Sequence, residues 1–231
     1  VSSDRAATSA TRAKSLAAMQ TLRVLKEPSQ DRRVLVIGDA AWPVPIPIVR
    51  AGDRWRFATE EGEDEIVNRR IGRNELNAIQ VAHAYVDAQR EYACKDRDRD
   101  GIPSFATKFR SSPGKRDGLY WESGDNEDES PFGPLVAQAA HEGYAKGGER
   151  LLSPYHGYLF RILTAQGEGA EGGAYDYMVN GRMVLGFALI AYPAQYGASG
   201  IMTFMVNQGG VVYEKDLGQD TAKVVESIKT F

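Results

Sequence analysis

The sequence contains a single cysteine, Cys94, among 231 residues. One thiol excludes an internal disulfide, a paired-cysteine redox centre and a zinc site built from several thiolates. We interpret Cys94 as a small buried hydrophobic residue, the commoner role of an isolated cysteine. Scarce cysteine fits both the cytosol and bacterial proteins outside it, so it does not assign a compartment.

Long apolar runs and a large excess of one charge are also absent. The longest nearly continuous apolar stretch, MVLGFALIAYPA at 183–194, is shorter than the roughly 20 residues that a membrane-spanning helix needs. The formal net charge is -3 and the basic residues are dispersed, which gives no reason to expect nucleic acid binding. No basic-then-apolar leader opens the chain, so either none existed or it has been removed.

The familiar signatures of catalysis are missing as well. The glycine-rich segment GEGAEGGAY at 167–175 lacks the strand-to-helix context and the lysine of a phosphate loop, and we interpret it as a turn between strands. No spacing of serine, histidine and acid points to a triad, which is recognised by geometry. We interpret His83 as a partly buried structural residue on a helix, whereas His141 lies in another helix and His156 begins a strand. The strand aromatics are expected to pack the core: Tyr158, Phe160, Tyr175, Tyr177, Phe187, Tyr192 and Phe204.

The first part of the chain shows mixed periodicity. Apolar residues at helical spacing predict a helix over 8–26. RRVLVIGD at 32–39 predicts a strand, and alternating prolines predict a proline-bearing edge strand at 43–47. A turn at 51–53 precedes a strand that carries Trp55 and Phe57. We expect residues 1–62 to form a small α+β region.

The remainder, residues 63–231, changes from helical to strand periodicity. The charged segment 61–72 is interpreted as a joint between regions, and the pattern at 73–94 predicts a long helix with Leu76 on its apolar stripe. A short helix is predicted at 133–148, antiparallel strands at about 155–216 and a last helix at about 219–229. The fold class is therefore α+β, with a long helix packed on an antiparallel sheet.

The segment KDRDRDGIPSF at 95–105 places three aspartates two residues apart before a glycine. An Asp-x-Asp-Gly sequence would suit a haloacid-dehalogenase-type phosphatase only at the end of a buried apolar strand, and here it follows an amphipathic helix. A calcium loop is a second interpretation, since alternating carboxylates precede a glycine where such a loop turns sharply. A solvated turn is a third, in which Arg97 and Arg99 neutralise the neighbouring aspartates.

The calcium interpretation assigns three carboxylates and one backbone carbonyl to the first, third, fifth and seventh loop positions: Asp96, Asp98, Asp100 and Ile102. Thr107 stands at the twelfth position, where a bidentate glutamate is usual. The loop therefore needs an outside ligand, for which the acidic segment DNEDE at 125–129 is a candidate. We expect a weak calcium site that braces the loop between helix and sheet, with both arginines pointing outward.

Five segments resemble, nearly end to end, a bacterial family known as domain of unknown function 2950. They are WPVPIPIVRAGDRWRF, NRRIGRNELNAIQVAHAYVDAQREYA, KRDGLYW, YHGYLFRIL and GIMTFMVNQGGVVYEKDLG. Members of that family generally look exported, with a leader and a further N-terminal helical segment. The resemblance implies an extracytoplasmic protein, periplasmic or secreted, trimmed at its start.

A second resemblance concerns architecture. The helix NELNAIQVAHAYVDAQREYA and the strands around YHGYLFRIL and GFALIAYPAQYGASGIMTFMVNQGGVVYEKDLG are similar to the globular part of type IV pilins and type II secretion pseudopilins. There, half of a helix packs on a small antiparallel sheet. The chain lacks the very apolar helical stem through which pilins polymerise. Residues 1–62 resemble the helix-on-curved-sheet fold of the nuclear-transport-factor class without its first helix.

These observations lead to two functional hypotheses. The first is a non-catalytic, extracytoplasmic structural or interaction module with calcium as a weak ligand, and with a protein partner or self-association left open. The second is a hydrolase or ligand-binding enzyme whose residues, Asp96, Asp98 or His156, lie on loops. A buried cleft that joins one of them to a second polar cluster would favour the enzyme, whereas a flat polar surface would favour the module.

Overall fold

The computed structural model describes residues 5–97, 101–123, 128–142 and 154–231. The chain divides into two compact units, Val1–Arg73 and Asn74–Phe231. Both units contain helix and antiparallel strands, so the chain is an α+β protein, as predicted. The domain boundary expected at residue 62 stays a prediction.

The first unit contains one complete helix and a five-stranded antiparallel sheet. Its elements are helix α1 (Arg5–Thr21) and strands β1 (Arg23–Ser29), β2 (Arg32–Ile37), β3 (Trp42–Pro43), β4 (Ile48–Ala51) and β5 (Arg54–Phe57). The strands pair in the order β1-β2-β4-β5, and β3 also pairs with β2. Strands β1 and β5 are therefore the two ends of this order.

Two predictions for this unit were wrong. The helix predicted over 8–26 ends at Thr21, because the following residues pair with β2 as strand β1. The predicted edge strand at 43–47 is mostly irregular, since only Trp42–Pro43 pairs with β2 before the chain enters the inner strand β4. Proline lacks the N–H group that a strand ladder uses, so pairing stops early.

Helix α2 runs unbroken from Thr59 to Ala93. The long helix was predicted to start at residue 73, whereas the charged segment 61–72, interpreted as a joint between regions, belongs to the same helix. Glu60 and Glu61 lie in the first turn and Arg90 in the last, where each complements the helix dipole. A solvated helical segment without an apolar stripe gives little periodic signal, which explains why the helix start was predicted too late. Within the described ranges, no helix combines the length and apolarity required to cross a bilayer.

The second unit holds the rest of α2 and the main sheet. Its elements are α3 (Gly133–His141), β6 (Tyr158–Leu163), β7 (Ala165–Gln166), β8 (Tyr175–Asp176), β9 (Met178–Val179), β10 (Arg182–Met183), β11 (Ala188–Pro193), β12 (Met202–Asn207), β13 (Val212–Asp216) and α4 (Thr221–Ser227). A four-stranded antiparallel sheet has the order β13-β12-β11-β6, and β7-β8 and β9-β10 form two-stranded ribbons. The predicted antiparallel meander is confirmed.

The second half of α2 packs in the same hydrophobic core as this sheet. Its buried residues follow helical spacing: Ala78, Ala82, Tyr85, Val86, Gln89 and Tyr92. The Tyr85 hydroxyl donates to the carbonyl of Ala188 in β11 at 3.2 Å. Leu76, which was predicted to lie on this stripe, is 64% exposed, so that part of the prediction was wrong. Burial of the apolar stripe is the main stabilising term for this contact.

Polar residues at the start of the buried stripe hold the segment that enters β12. The Asn74 side-chain amide donates to the carbonyl of Ser199 at 2.8 Å. One carboxylate oxygen of Glu75 accepts the backbone N–H groups of Ile201 and Met202 at 2.9 and 3.0 Å. These bonds satisfy backbone groups at the start of β12 and in the segment just before it.

Gln89 ties the loop after α2 to the core. Its side-chain nitrogen donates to the Ala106 carbonyl at 2.7 Å, and its side-chain oxygen accepts the Ala106 N–H at 2.8 Å. The same nitrogen donates to the Tyr85 hydroxyl at 3.0 Å. Gln89 and Ala106 are both buried, so water does not replace these bonds.

Further along this loop, Asp117 forms a compact polar cluster. Its carboxylate accepts bonds from the Lys108 ammonium at 2.6 Å and from the Ser112 N–H at 2.7 Å. Partial burial alone would raise the pKa of Asp117, but the bonds from Lys108 and Ser112 outweigh it and lower the pKa to about 2.

Candidate functional site

The aspartate loop follows α2 directly, and half of its predicted ligands fall within the described residues. Asp98 and Asp100 lie outside them. One oxygen of Asp96, Oδ2, accepts the Gly101 N–H at 2.7 Å. The other, Oδ1, is shielded from solvent and accepts no hydrogen bond from the described residues. Ile102 is exposed.

The Asp96–Gly101 bond joins the first and sixth positions of the predicted loop. Gly101 has φ +84°, a left-handed conformation that glycine adopts without strain. The chain therefore turns sharply at the position where the calcium interpretation requires it. The shielded Oδ1 retains its capacity to accept a bond from a donor or a cation.

Arg97 does not point outward, so that expectation was wrong. Its guanidinium lies 4.6 Å from the ring centre of Tyr92 and 5.0 Å from that of Trp121. The Tyr92 hydroxyl donates to the Arg116 carbonyl at 2.8 Å. Cation–π contacts of this kind hold an arginine against aromatic rings. Arg97 thus links the loop to the end of α2.

The acidic segment at 125–129, the proposed source of an outside ligand, is described only at Asp128 and Glu129. The Asp128 carboxylate lies 2.8 Å from the Lys95 ammonium and 3.9 Å from the Arg116 guanidinium. The hydrogen bond from Lys95 is the largest cause of a lowered Asp128 pKa. Asp128 therefore already has cationic partners. No group of three or more potential metal ligands occurs among the residues that the structure describes.

A second polar cluster surrounds His156. Tyr155 and Tyr158 exchange backbone hydrogen bonds of 2.9 and 3.0 Å across the pair His156–Gly157. Both central residues have positive φ, +48° and +76°. These are the features of a type I′ hairpin turn, in which Asn-Gly is the commonest pair. His156 was predicted to begin a strand and lies in a turn instead.

The His156 imidazole contacts the carboxylate of Glu142, which follows α3. The distance between Nε2 of His156 and Oε2 of Glu142 is 2.9 Å. Gln138 donates to the other oxygen of Glu142 at 3.1 Å. The Tyr155 ring centre lies 4.3 Å from the imidazole centre. Burial first, and the Glu142 charge second, raise the pKa of Tyr155 to about 12.

This carboxylate–imidazole pair has recognisable chemistry. A carboxylate that accepts one ring N–H fixes the tautomer of the histidine and stabilises the imidazolium form. In hydrolases such a pair acts as a general base with its orienting acid, and it requires a nucleophile in contact with the imidazole. His156 and Glu142 are the residue types of such a base and its orienting acid, and their side-chain atoms lie 2.9 Å apart.

Other expectations about single residues have mixed outcomes. His83 and Cys94 are exposed, so both were wrongly expected to be buried or partly buried. The glycine-rich segment 167–175 is a turn between β7 and β8, as predicted, and the Gln166 amide donates to the carbonyls of Glu171 and Gly173 there. The strand aromatics are confirmed as buried or partly buried core residues.

The fold defines an α+β protein whose second unit packs a helix with an antiparallel sheet. The chain belongs to the family Protein of unknown function (DUF2950), whose model matches residues 1–231. Neither curated proteins nor solved structures gave a significant match.

Proposed function

We propose that the chain is a non-catalytic structural or interaction module that works outside the cytoplasm. The observation that carries this proposal is the packing of the second half of α2 with an antiparallel sheet. Pilin and pseudopilin globular domains, which the sequence resembles, share this arrangement, and they are structural parts of an assembly rather than enzymes. The exported character of the family that the sequence resembles supports a location outside the cytoplasm.

Location and assembly are tested separately. In cells that express the natural gene, the protein should fractionate outside the cytoplasm and be digested by protease when the inner membrane is intact. Sedimentation velocity of the purified chain over a range of concentrations measures self-association. A protein confined to the cytoplasm would contradict the proposal.

The aspartate loop is proposed as a weak calcium brace for this module. The bond from Gly101 to Asp96 leaves the shielded Oδ1 able to accept a cation. Without a glutamate at the twelfth position, we expect a dissociation constant of about 0.1 to 1 mM. At about 1 mM calcium, linkage then gives about 0.4 to 1.4 kcal/mol of stabilisation.

Calorimetric melting in calcium and in chelator tests the brace. We expect calcium to raise the melting temperature by about 1 to 5 °C. Asp98→Ala should abolish this difference, whereas Asp87→Ala, on an exposed side chain of the same chain's α2, should retain it. Identical melting temperatures of the unaltered protein in both buffers would mean that the loop is a solvated turn without a calcium site.

A hydrolase or ligand-binding enzyme remains the second candidate, and the 2.9 Å contact between Glu142 and His156 is the observation that favours it. Hydrolysis of nitrophenyl acetate and nitrophenyl phosphate distinguishes the two candidates. For a module, we expect no rate above buffer. A rate that falls in His156→Asn, which keeps the turn, but persists in His83→Asn would favour the enzyme.

A further inference from the structure

Strands β4 and β5 form a hairpin, and among the described residues no strand pairs with the outer edge of β5. Ala51 pairs with Arg54 around the two-residue turn Gly52–Asp53, and Gly52 has φ +64°. In an antiparallel ladder, hydrogen-bonded and non-hydrogen-bonded pairs alternate from the closing pair onward. The backbone groups of Trp55 and Phe57 therefore point away from β4, towards the open edge of the sheet.

The hydrogen bonds around the hairpin agree with this alternation. The Ala58 N–H donates to the Pro47 carbonyl at 2.9 Å, which continues the bonded pairs. The Arg50 N–H, opposite Trp55, donates away from β5 to the Asp31 carbonyl at 2.9 Å. The outward groups of β5 are thus the ones that an additional strand would use, and one of them, the Phe57 carbonyl, also accepts a 3.3 Å hydrogen bond from the Arg56 guanidinium.

Side chains on β5 also alternate in chemistry. Trp55 and Phe57 share one face, where they are 40% and 54% exposed. Arg54 and Arg56 lie on the opposite face, and the whole strand is exposed. Arg33, from β2, places its guanidinium 4.5 Å from the Trp55 ring centre. One face of the edge is aromatic with arginine beside it, and the other is cationic.

The sheet region also carries a positive charge, and its two end strands differ in composition. Residues 23–57 contain seven basic and four acidic side chains, a net charge of +3. Strand β1, at the other end of the sheet, contains Lys26 and Pro28, which are residues that discourage strand addition. Strand β5, with the sequence RWRF, contains neither.

We propose that the β5 edge binds an extended acidic peptide as an additional strand. The peptide backbone would bond to Trp55 and Phe57, and its apolar side chains would cover the two rings. Its carboxylates would face Arg54, whereas Arg56 already lies 2.8 Å from the carboxylate of Glu60. This inference rests on the proposed function, because it names the kind of partner that an interaction module would take.

Charge and stacking argue against two other occupants. If two copies paired β5 antiparallel about a twofold axis, arginines would face arginines on one side of the sheet, which is destabilising. A lipid surface is disfavoured because insertion of the Trp55 ring would carry the Arg33 guanidinium towards hydrocarbon. Neither objection applies to an acidic strand.

Calorimetric titration with a synthetic peptide of about eight alternating glutamate and valine residues tests the proposal. We expect saturable binding below about 1 mM. Replacing glutamate by lysine should abolish binding. N-methylation of the amides that would face β5 keeps the charges but blocks strand pairing, and should weaken binding by about tenfold or more.

Variants of the protein locate the site. Arg54→Glu and Phe57→Thr should each weaken binding by about fivefold or more, whereas Lys26→Glu on β1 should change it by less than about twofold. Unchanged melting of each variant shows that the sheet is intact. No binding, equal binding of the methylated peptide, or equal losses in Lys26→Glu would each overturn the inference. None of these outcomes alters the location, assembly or calcium measurements, which test the proposed function separately.

Discussion

Replacing Gln89 by methionine should destabilise the second unit because it removes a side-chain amide without changing the volume greatly. The Ala106 N–H and carbonyl would both lose their partner at a position that is only 1% exposed. A buried backbone group left without a hydrogen bond costs about 1 to 3 kcal/mol. For both groups together, we expect a loss of about 2 to 6 kcal/mol in the free energy of unfolding.

Urea unfolding followed by the fluorescence of Trp121 measures this loss. Two of the three tryptophans, Trp42 and Trp55, belong to the first unit and are exposed. Replacing both by phenylalanine leaves Trp121 as a reporter for the second unit. The control is Gln80→Met, since Gln80 lies on the same helix but is exposed, and its replacement should cost less than about 0.5 kcal/mol.

The outcome can contradict the reasoning in two ways. A loss below about 1 kcal/mol for Gln89→Met would mean that water or another group satisfies Ala106. Equal losses for Gln89→Met and Gln80→Met would mean that the effect comes from helix propensity or thioether packing, and not from the bonds to the loop.

Three further predictions concern glycine and pH. In denaturant unfolding, Gly157→Ala should lower the free energy of unfolding more than Gly181→Ala does. Both glycines have positive φ. An added Cβ at position 157 would lie 2.6 Å from the side-chain amide nitrogen of Asn74, whereas at position 181 it would meet open space. Gly72→Ala should stabilise the protein by about 0.5 to 1 kcal/mol in thermal unfolding, since the new methyl group meets open space within a helix; a lower melting temperature would contradict this. The folded-state pKa of Asp117 is about 2, below its ordinary value of 3.8, so its contribution to stability is complete above about pH 4 and is lost as the pH falls towards 2. Asp117→Asn should remove that part of the pH dependence between pH 4 and 2, and an unchanged acid limb would refute the assignment.

Much of the second unit could be predicted from the sequence because its strands alternate and are bounded by recognisable turns. The segment NQGG at 207–210 is typical of a hairpin turn, and the structure places it between β12 and β13. Leu76 was wrongly assigned to the buried stripe of α2. The stripe includes two polar residues, Asn74 and Gln89, which a search for apolar periodicity does not find. Polar side chains that bond across a fold have no periodic signature.

The candidate sites were less accessible to sequence reasoning. Asp96 and Gly101 could be found because a calcium loop is a local pattern. Glu142 could not, since its contact with His156 depends on where α3 ends and where the hairpin turns, and no spacing encodes it. The sequence YHGY did contain a signal, because a His-Gly pair between strand residues favours a type I′ turn. The stacking of Arg97 on Trp121 depends on tertiary structure alone.

The unbroken course of α2 has a consequence for the cooperativity of unfolding. Because a helical N–H bonds to the carbonyl four residues earlier, each turn of α2 depends on the turn before it. Gly72, the residue type that costs most to fix in a helix after proline, lies directly before the buried stripe that begins at Asn74. Hydrogen exchange along α2 would therefore report a stepped protection profile within one continuous helix, with slower exchange after Gly72 than before it, and the height of the step would measure the stability that the buried stripe adds to the helix.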